Sequence, residues 1–563
     1  MNFDSIQRKA NSAWQDFESP EHGRVLVGSG TCGRAAGAED VLAAAREYDT
    51  DGLLDIYEVG CLGLCYAEPL VELSAPDMPA VLYGNLRPDQ LPELLSGYFD
   101  GADLQSDNAV AVMNGEQVEG IPSFDDLPMM RAQKRIVLEN CGVTDPDSID
   151  HYVARGGYSG LRAALQSSPD DVINEIKESG LRGRGGAGFP TGLKWQFCRQ
   201  EQSDTRYLVC NADEGDPGAF MDRSLIEGDP HRVIEGILIA AHAIGASQAY
   251  VYIRAEYPLA IDRLEAAAEQ AREMGLLGED VLGSDLSVEL ELKKGAGAFV
   301  CGEETALLAS LEGKRGQPQP RPPFPAQDGF KGHPTNINNV ETLANVPSIL
   351  RNGSDWFRRY GTEESPGTKT FALAGKVART GLIEVPLGTK LGDIVQGAGG
   401  GVAEGAELKG VQTGGPSGGC IPESMMDIPA DYSDLARAGS IMGSGGMIVM
   451  DDATCMVDIA KYFIDFCQKE SCGKCPPCRL GTAQMLTLLE KVSDGEAGEE
   501  DLELLDEMAR AVADASLCGL GQTAPNPVLT TLQYFRDEYE AHLAGQCPAE
   551  VCDVSAEGRP NDV

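Results

Sequence analysis

Near its C-terminus the chain reads Glu470-Ser471-Cys472-Gly473-Lys474-Cys475-Pro476-Pro477-Cys478-Arg479. Three thiols at C-x-x-C-x-x-C spacing can converge on one centre, and Cys518, in Ser516-Leu517-Cys518-Gly519, follows one helical hairpin downstream. A fold that closes these segments together supplies four thiolates, the usual ligand set of an iron–sulfur cluster. Structural zinc favours two separated C-x-x-C knuckles; a group of inert buried thiols is the remaining reading. The spacing predicts a [4Fe–4S] centre at Cys472, Cys475, Cys478 and Cys518, and so a chain that carries electrons.

The 563 residues exceed what one hydrophobic core holds and predict three or four domains. No charged segment followed by an apolar one opens the chain, and no apolar run reaches the roughly 18 residues that span a bilayer. The expectation is a soluble cytoplasmic protein whose membrane contacts, if any, run through partners. Sixteen cysteines in a chain of this length, without an export signal, speak for metal rather than disulfides. Acidic residues outnumber basic ones by 88 to 45, for a net charge of −43. That charge excludes nonspecific nucleic-acid binding and reads as a solubility adaptation or as a surface that steers a basic partner.

Element patterns divide the chain. Residues 1–105 alternate short strands and helices in a βαβ–ββα manner, and a polar, Asp- and Gly-rich linker is expected over 106–129. Residues 130–345 alternate strands with helices and predict a parallel or mixed sheet. Residues 346–440 hold short strands between Gly/Pro turns. From 441 to 545 the periodicity turns helical, with helices predicted at Met456–Cys467, Leu480–Leu489, Leu502–Ala513 and Asn526–Leu543, a four-helix bundle. A tail occupies 546–563.

Three loops in the central region suit a nucleotide. Gly183-Arg184-Gly185-Gly186-Ala187-Gly188-Phe189, continuing to Lys194, mixes glycines with cations; glycine lets backbone N–H groups approach a phosphate that cations neutralise. The G-x-G-x-x-G match alone is weak, since no clean strand precedes it; a flexible lid is the alternative. Asn211-Ala212-Asp213-Glu214-Gly215-Asp216 follows directly on a strand, where ligands of open α/β sheets collect. Gly302-Glu303-Glu304 adds two carboxylates, which can accept from ribose hydroxyls and repel a 2′-phosphate, selecting NAD over NADP.

These loops, with Pro334-Thr-Asn-Ile-Asn338-Asn339-Val-Glu-Thr342 and the four cluster cysteines in the same order, resemble the flavoprotein subunit of respiratory complex I and its soluble diaphorase relatives. The resemblance covers about 130–540. It implies a Rossmann-like domain for FMN and NADH over 130–345, a ubiquitin-like β-module over 346–440, and a four-helix bundle holding [4Fe–4S] over 441–545. Carried onto this sequence, Gly183, Arg184, Gly185, Gly186, Lys194, Asn211, Asp213, Asn338 and Asn339 would hold FMN, within a site that also takes in Ala187, Gly188, Glu214 and Thr342. Phe189 and Phe197 would flank the nucleotide, Phe324 would stack near adenine, Glu304 would touch the ribose and Glu303 would lie close by. The implied activity is reversible hydride transfer between NADH and FMN, with single electrons passing to the cluster and to iron–sulfur partner subunits. Three positions depart from the family: Asp216 where Glu is frequent, Phe299 where Tyr is, and Arg321 where Lys is.

Two further cysteine groups remain. Cys32, Cys61 and Cys65 resemble the thioredoxin-like [2Fe–2S] domain of the same enzymes, but no second thiol follows Cys32 in Gly33 to Ala38, so a docking domain without a cluster competes with a [2Fe–2S] site. In the tail, His542, Cys547 and Cys552 suggest zinc, with Cys467 as the expected fourth ligand of a Cys3His set; an empty pair of thiols at a frayed terminus is the alternative. The tail resembles that of electron-bifurcating hydrogenase flavoproteins. The expectation is therefore an NADH:acceptor oxidoreductase subunit, with an electron-bifurcating version and a non-catalytic iron–sulfur scaffold as rival readings.

Overall fold

A computed structural model describes residues 3–101, 103–104, 107–113 and 118–554. Three sheets organise the chain. The first joins β1 (Arg24–Gly28), β2 (Asp55–Val59), β3 (Val71–Ser74), β4 (Val81–Tyr83) and β5 (Ala109–Val112) in the order β2-β1-β3-β4-β5. β1 and β2 run parallel and the remaining pairs antiparallel. Its strands are rich in Val, Leu and Tyr, and helices Ala38–Tyr48 and Leu91–Gly101 close one face. The segment expected to be a polar linker is thus partly structure: the apolar run Ala-Val-Ala-Val at 109–112 pairs with β4.

The second sheet is wholly parallel: β6 (Tyr207–Ala212), β7 (Gln248–Arg254), β8 (Glu289–Gly295) and β9 (Thr335–Asn339), in the order β8-β7-β6-β9. Parallel strands need crossovers, and helices supply them. Helix Pro230–Ile244 is buried on nearly every side, although His231, Arg232 and Glu235 interrupt its apolar sequence. Its polar residues are all answered. Glu235 accepts from the Tyr158 and Leu161 N–H groups at 2.7 and 2.9 Å, and Arg232 pairs with Asp229 at 2.8 Å and with Glu139.

The third sheet comprises β10 (Thr368–Gly375), β11 (Gly381–Pro386), β12 (Leu408–Thr413), β13 (Cys420–Pro422) and β14 (Gly446–Asp451), in the order β11-β10-β14-β12-β13. Glu384 of β11 is buried and accepts from the Ile136 and Leu138 N–H groups at 2.8 and 3.0 Å, fastening the segment that leads into the second sheet. The remaining chain is helical: Met456–Lys469, Pro476–Ser493, Glu499–Ala515, Asn526–Tyr534 and Arg536–Leu543. Leu502, Leu505, Ala509 and Val512 form the buried stripe of the third, at the spacing of one helix face. The long final helix expected from the sequence breaks at Phe535 into two. Among the described residues no helix is long and apolar enough to cross a membrane.

Candidate functional site

An open cleft of about 730 Å³ lies at the carboxyl ends of β6 and β9, where open parallel sheets collect ligands. The loop Gly183–Phe189 forms one wall and closes on itself through the Gly183 N–H, which donates to Phe189 O at 2.9 Å. Two of its glycines are obligatory. Gly186 and Gly188 have φ of +127° and +64°, and a Cβ at 188 would lie 2.6 Å from the Tyr432 ring. The loop therefore presents backbone rather than side chains to the cleft.

Lys194 closes the floor, donating to Ile337 O at 2.5 Å and pairing with Glu304. Asn211 donates to Gly302 O at 3.0 Å. Asn339 caps helix Val340–Asn352 through the Thr342 N–H at 3.0 Å and donates to Asp222 at 2.6 Å. Asn338, Gly185, Ala187 and Gly302 complete this part of the lining. Across the cleft, Glu303 caps helix Glu304–Leu311 by accepting from the Thr305 and Ala306 N–H groups, both at 3.0 Å. Arg321 stands 4.0 Å from Glu303 and 3.9 Å from Glu304, so a cation sits over the carboxylate pair. Phe189, Phe197 and Phe324 are each about half exposed at the mouth. Three solvent-facing aromatic rings around one cleft are costly unless a flat ligand covers them.

Four residues expected in the site stand behind its walls. The Arg184 guanidinium is fully buried and donates to Thr368 O, Arg182 O and Pro366 O, each at 2.9 Å, binding the glycine loop to the start of β10. Glu214 accepts from the Asp222 and Arg223 N–H groups at 3.0 and 3.1 Å. Asp216 is bonded to the Ser444 hydroxyl at 2.6 Å, and burial pushes its carboxyl up to about 6. Asp213 is buried with both carboxylate oxygens unpartnered and Arg254 3.9 Å away; burial pushes it up to about 7. Phe299 packs on Phe466 at a ring distance of 5.4 Å and does not line the cleft. The sequence reading missed Thr191, Gln200, Glu201, the run Pro325-Ala326-Gln327, Ile337 and Gly519, which also line the cleft.

Gly519 matters because its neighbour is Cys518. Cys472, Cys475, Cys478 and Cys518 surround one small cavity, with Ser471 and Val300 in its wall. Cys475 stands at the start of helix Pro476–Ser493, Cys478 in its first turn, and Cys518 at the start of Gly519–Thr523. Helix N-termini of this kind favour negative charge. Burial pushes the Cys478 thiol up to about 11 and raises Cys518 as well, so a bound metal is needed to hold them as thiolates. Among the described residues, the thiol groups whose ligand atoms all lie within 4.8 Å of one another are elsewhere. The wider spacing here suits a multi-iron cluster better than a single ion. One peptide bond thus separates the cleft from the thiol cavity.

The tail group differs from its expected composition. Cys455, His542, Cys547 and Cys552 bring their ligand atoms within 4.8 Å of one another. Cys455 Sγ is 3.5 Å from His542 Nε2 and 3.7 Å from Cys552 Sγ. His542 Nδ1 lies 2.7 Å from Glu538 O, which sets the tautomer and leaves Nε2 as a ligand. Cys467, the expected fourth ligand, is not there; its Sγ lies 3.9 Å from Pro416 O. Cys455 and Cys467 sit at opposite ends of helix Met456–Lys469, about 18 Å apart at 1.5 Å per residue.

The site can be set beside known proteins. Residues 176–348 match the family model described as the Nuo51 FMN-binding domain, and 458–542 match the NADH-ubiquinone oxidoreductase-F iron-sulfur binding region. The chain is 47% identical over 415 residues to an NADH-quinone oxidoreductase F-type subunit of Rhizobium meliloti, covering 73% of this chain and 99% of that one. It belongs to the Nuo51-type flavoprotein family, which includes the NADH-quinone oxidoreductase F subunits. Another member is the NADP-reducing hydrogenase protein HndC of Solidesulfovibrio fructosivorans, 54% identical over 75% of this chain and 86% of its own length. A solved NAD+-reducing [NiFe]-hydrogenase superposes with a TM-score of 0.65 at 32% identity, covering 96% of this chain and 87% of that one. The two family models fall on the cleft and on the thiol cavity respectively.

Proposed function

We propose that this chain is the NADH-oxidising flavoprotein subunit of a multi-subunit redox complex, with FMN in the cleft and [4Fe–4S] on Cys472, Cys475, Cys478 and Cys518. The observation that carries this reading is the adjacency of Cys518 and Gly519, one lining the thiol cavity and the other the cleft. When bound, FMN supplies the conversion between hydride transfer and single-electron transfer. A loop wall made of backbone fits a ligand that offers a phosphate. The glycine loop and Lys194 bind the phosphate end. Phe189, Phe197 and Phe324 cover flat rings and exclude water from them, and Glu303 and Glu304 accept from ribose hydroxyls. No side-chain base is required; the protein positions the reactants and sets the field around them.

The module expected over 346–440 is read as ubiquitin-like, with its sheet running on to β14 at 446–451 inside the span expected to be helical, the N-terminal sheet as thioredoxin-like and the C-terminal helices as a four-helix bundle. Cys455, His542, Cys547 and Cys552 form a structural Cys3His zinc site. A hydrogenase-type host is favoured over complex I itself, because the hydrogenase structure superposes on 96% of this chain, N-terminal sheet included. The test is analysis of the purified full chain for FMN and iron, together with dye reduction by NADH and by NADPH. One FMN and four irons per chain, with NADH preferred, are expected; a colourless chain that leaves NADH unoxidised refutes the reading.

A further inference from the structure

Three thiols of the N-terminal sheet meet at one point. Cys32, Cys61 and Cys65 bring their sulfurs within 4.8 Å of one another, and Cys61 Sγ and Cys65 Sγ are 3.8 Å apart. Thiolates bound to one tetrahedral ion at about 2.3 Å have an edge of about 3.8 Å. A two-iron cluster needs four thiolates, two on each iron, with the pairs held apart by the cluster between them. No fourth thiol joins this group among the described residues.

Charged groups surround the thiols: the Arg223 guanidinium lies 3.6 Å from Cys32 Sγ and also pairs with Glu227 at 3.8 Å, and Glu68 Oε1 lies 3.6 Å from Cys61 Sγ. The group also sits at a joint. Arg223 belongs to helix Met221–Gly228 beside the parallel sheet. From the same helix, Glu227 accepts from the Thr31 N–H at 2.8 Å and from its hydroxyl at 2.5 Å. Gly60 approaches Gly228 so closely that a Cβ would lie 2.5 Å from Gly228 Cα. The loops bearing the thiols are therefore those that dock the first sheet on the second.

We propose that Cys32, Cys61 and Cys65 form a three-thiolate site for a single soft divalent cation, zinc being the probe, with the fourth position open to solvent or to the Glu68 carboxylate beside Cys61. The ion fixes the docking loops of the N-terminal sheet and is independent of the tail group. Binding releases the thiol protons, so occupancy falls in acid.

The test is metal analysis of the full chain purified under reducing conditions with zinc present. A Cys547→Ser chain, disabled at the tail, is expected to retain one zinc that Cys61→Ser removes when added to it. Because that comparison is made without the tail site, it stands whether or not the tail binds zinc. Cobalt loaded into the Cys547→Ser chain should give sulfur-to-cobalt charge-transfer absorption, a readout that does not depend on Cys61→Ser folding. A Cys547→Ser chain with neither zinc nor the cobalt band overturns the proposal. So do two additional irons with a [2Fe–2S] spectrum, or a Cys61–Cys65 disulfide in the reduced preparation.

Discussion

Asp213 illustrates how burial alone can hold a proton in the fold. Its side chain is almost wholly buried, it has no hydrogen-bond partner, and burial raises its carboxyl from 3.8 to about 7. Unfolded, the group loses its proton near pH 4; folded, it keeps it to about pH 7. Between those values the folded chain holds the additional proton, so this residue's contribution makes stability fall as pH rises, and the loss is complete above pH 7. Asp213→Asn removes that dependence. In the flavin-free chain the variant should match the parent near pH 4 and exceed it at pH 8, by on the order of 4 kcal/mol. Thermal unfolding of both chains across this range checks it, and a difference that does not grow with pH would show Asp213 charged and partnered in the fold.

At the scale of elements, the glycine loop is held by what stands behind it. Arg184 satisfies three carbonyls from two segments with one planar fork, a geometry an ammonium cannot reproduce. Arg184→Lys keeps the charge yet should cost about 2–3 kcal/mol and weaken FMN retention, read by thermal melts and by flavin fluorescence released on dilution. The same reasoning separates the ends of helix Met456–Lys469. Cys455→Ser should lose the tail metal and loosen residues 545–554, measured by zinc content and amide exchange, whereas Cys467→Ala should keep both. The sequence showed these elements unevenly. The C-x-x-C-x-x-C run and the glycine loop were legible because their chemistry lies in contiguous residues. Cys455 was not, because its nearest partner, His542, is 87 positions away in the chain. Arg184 was assigned to the ligand because a cation among glycines looks the same in sequence whether it faces the cleft or the wall.

Over the whole molecule, the order of motifs conveyed the architecture, but distance between sites had to come from coordinates. Nothing in the sequence sets Gly519 in the cleft while Cys518 faces the thiol cavity; that follows from how the helices close over the parallel sheet. The strand at 109–112 escaped notice for a related reason, since its pairing partner and not its polar flanks decides its state. Net charge acts on the same scale. With −43 spread over one chain, folding concentrates like charges, and self-repulsion opposes the compact state. Most ion pairs of the C-terminal helices are exposed and contribute little: Arg510 with Asp506, Lys469 with Asp465 and Arg536 with Glu540 are each four residues apart on one helix. Screening therefore removes more repulsion than attraction. Raising ionic strength from about 0.05 to about 1 M, which shortens the screening length to about 3 Å, should raise the melting temperature of the full chain. A fall over that interval would mean that attractive pairs outweigh the excess of acid, and the surplus carboxylates would then have to lie too far apart to repel.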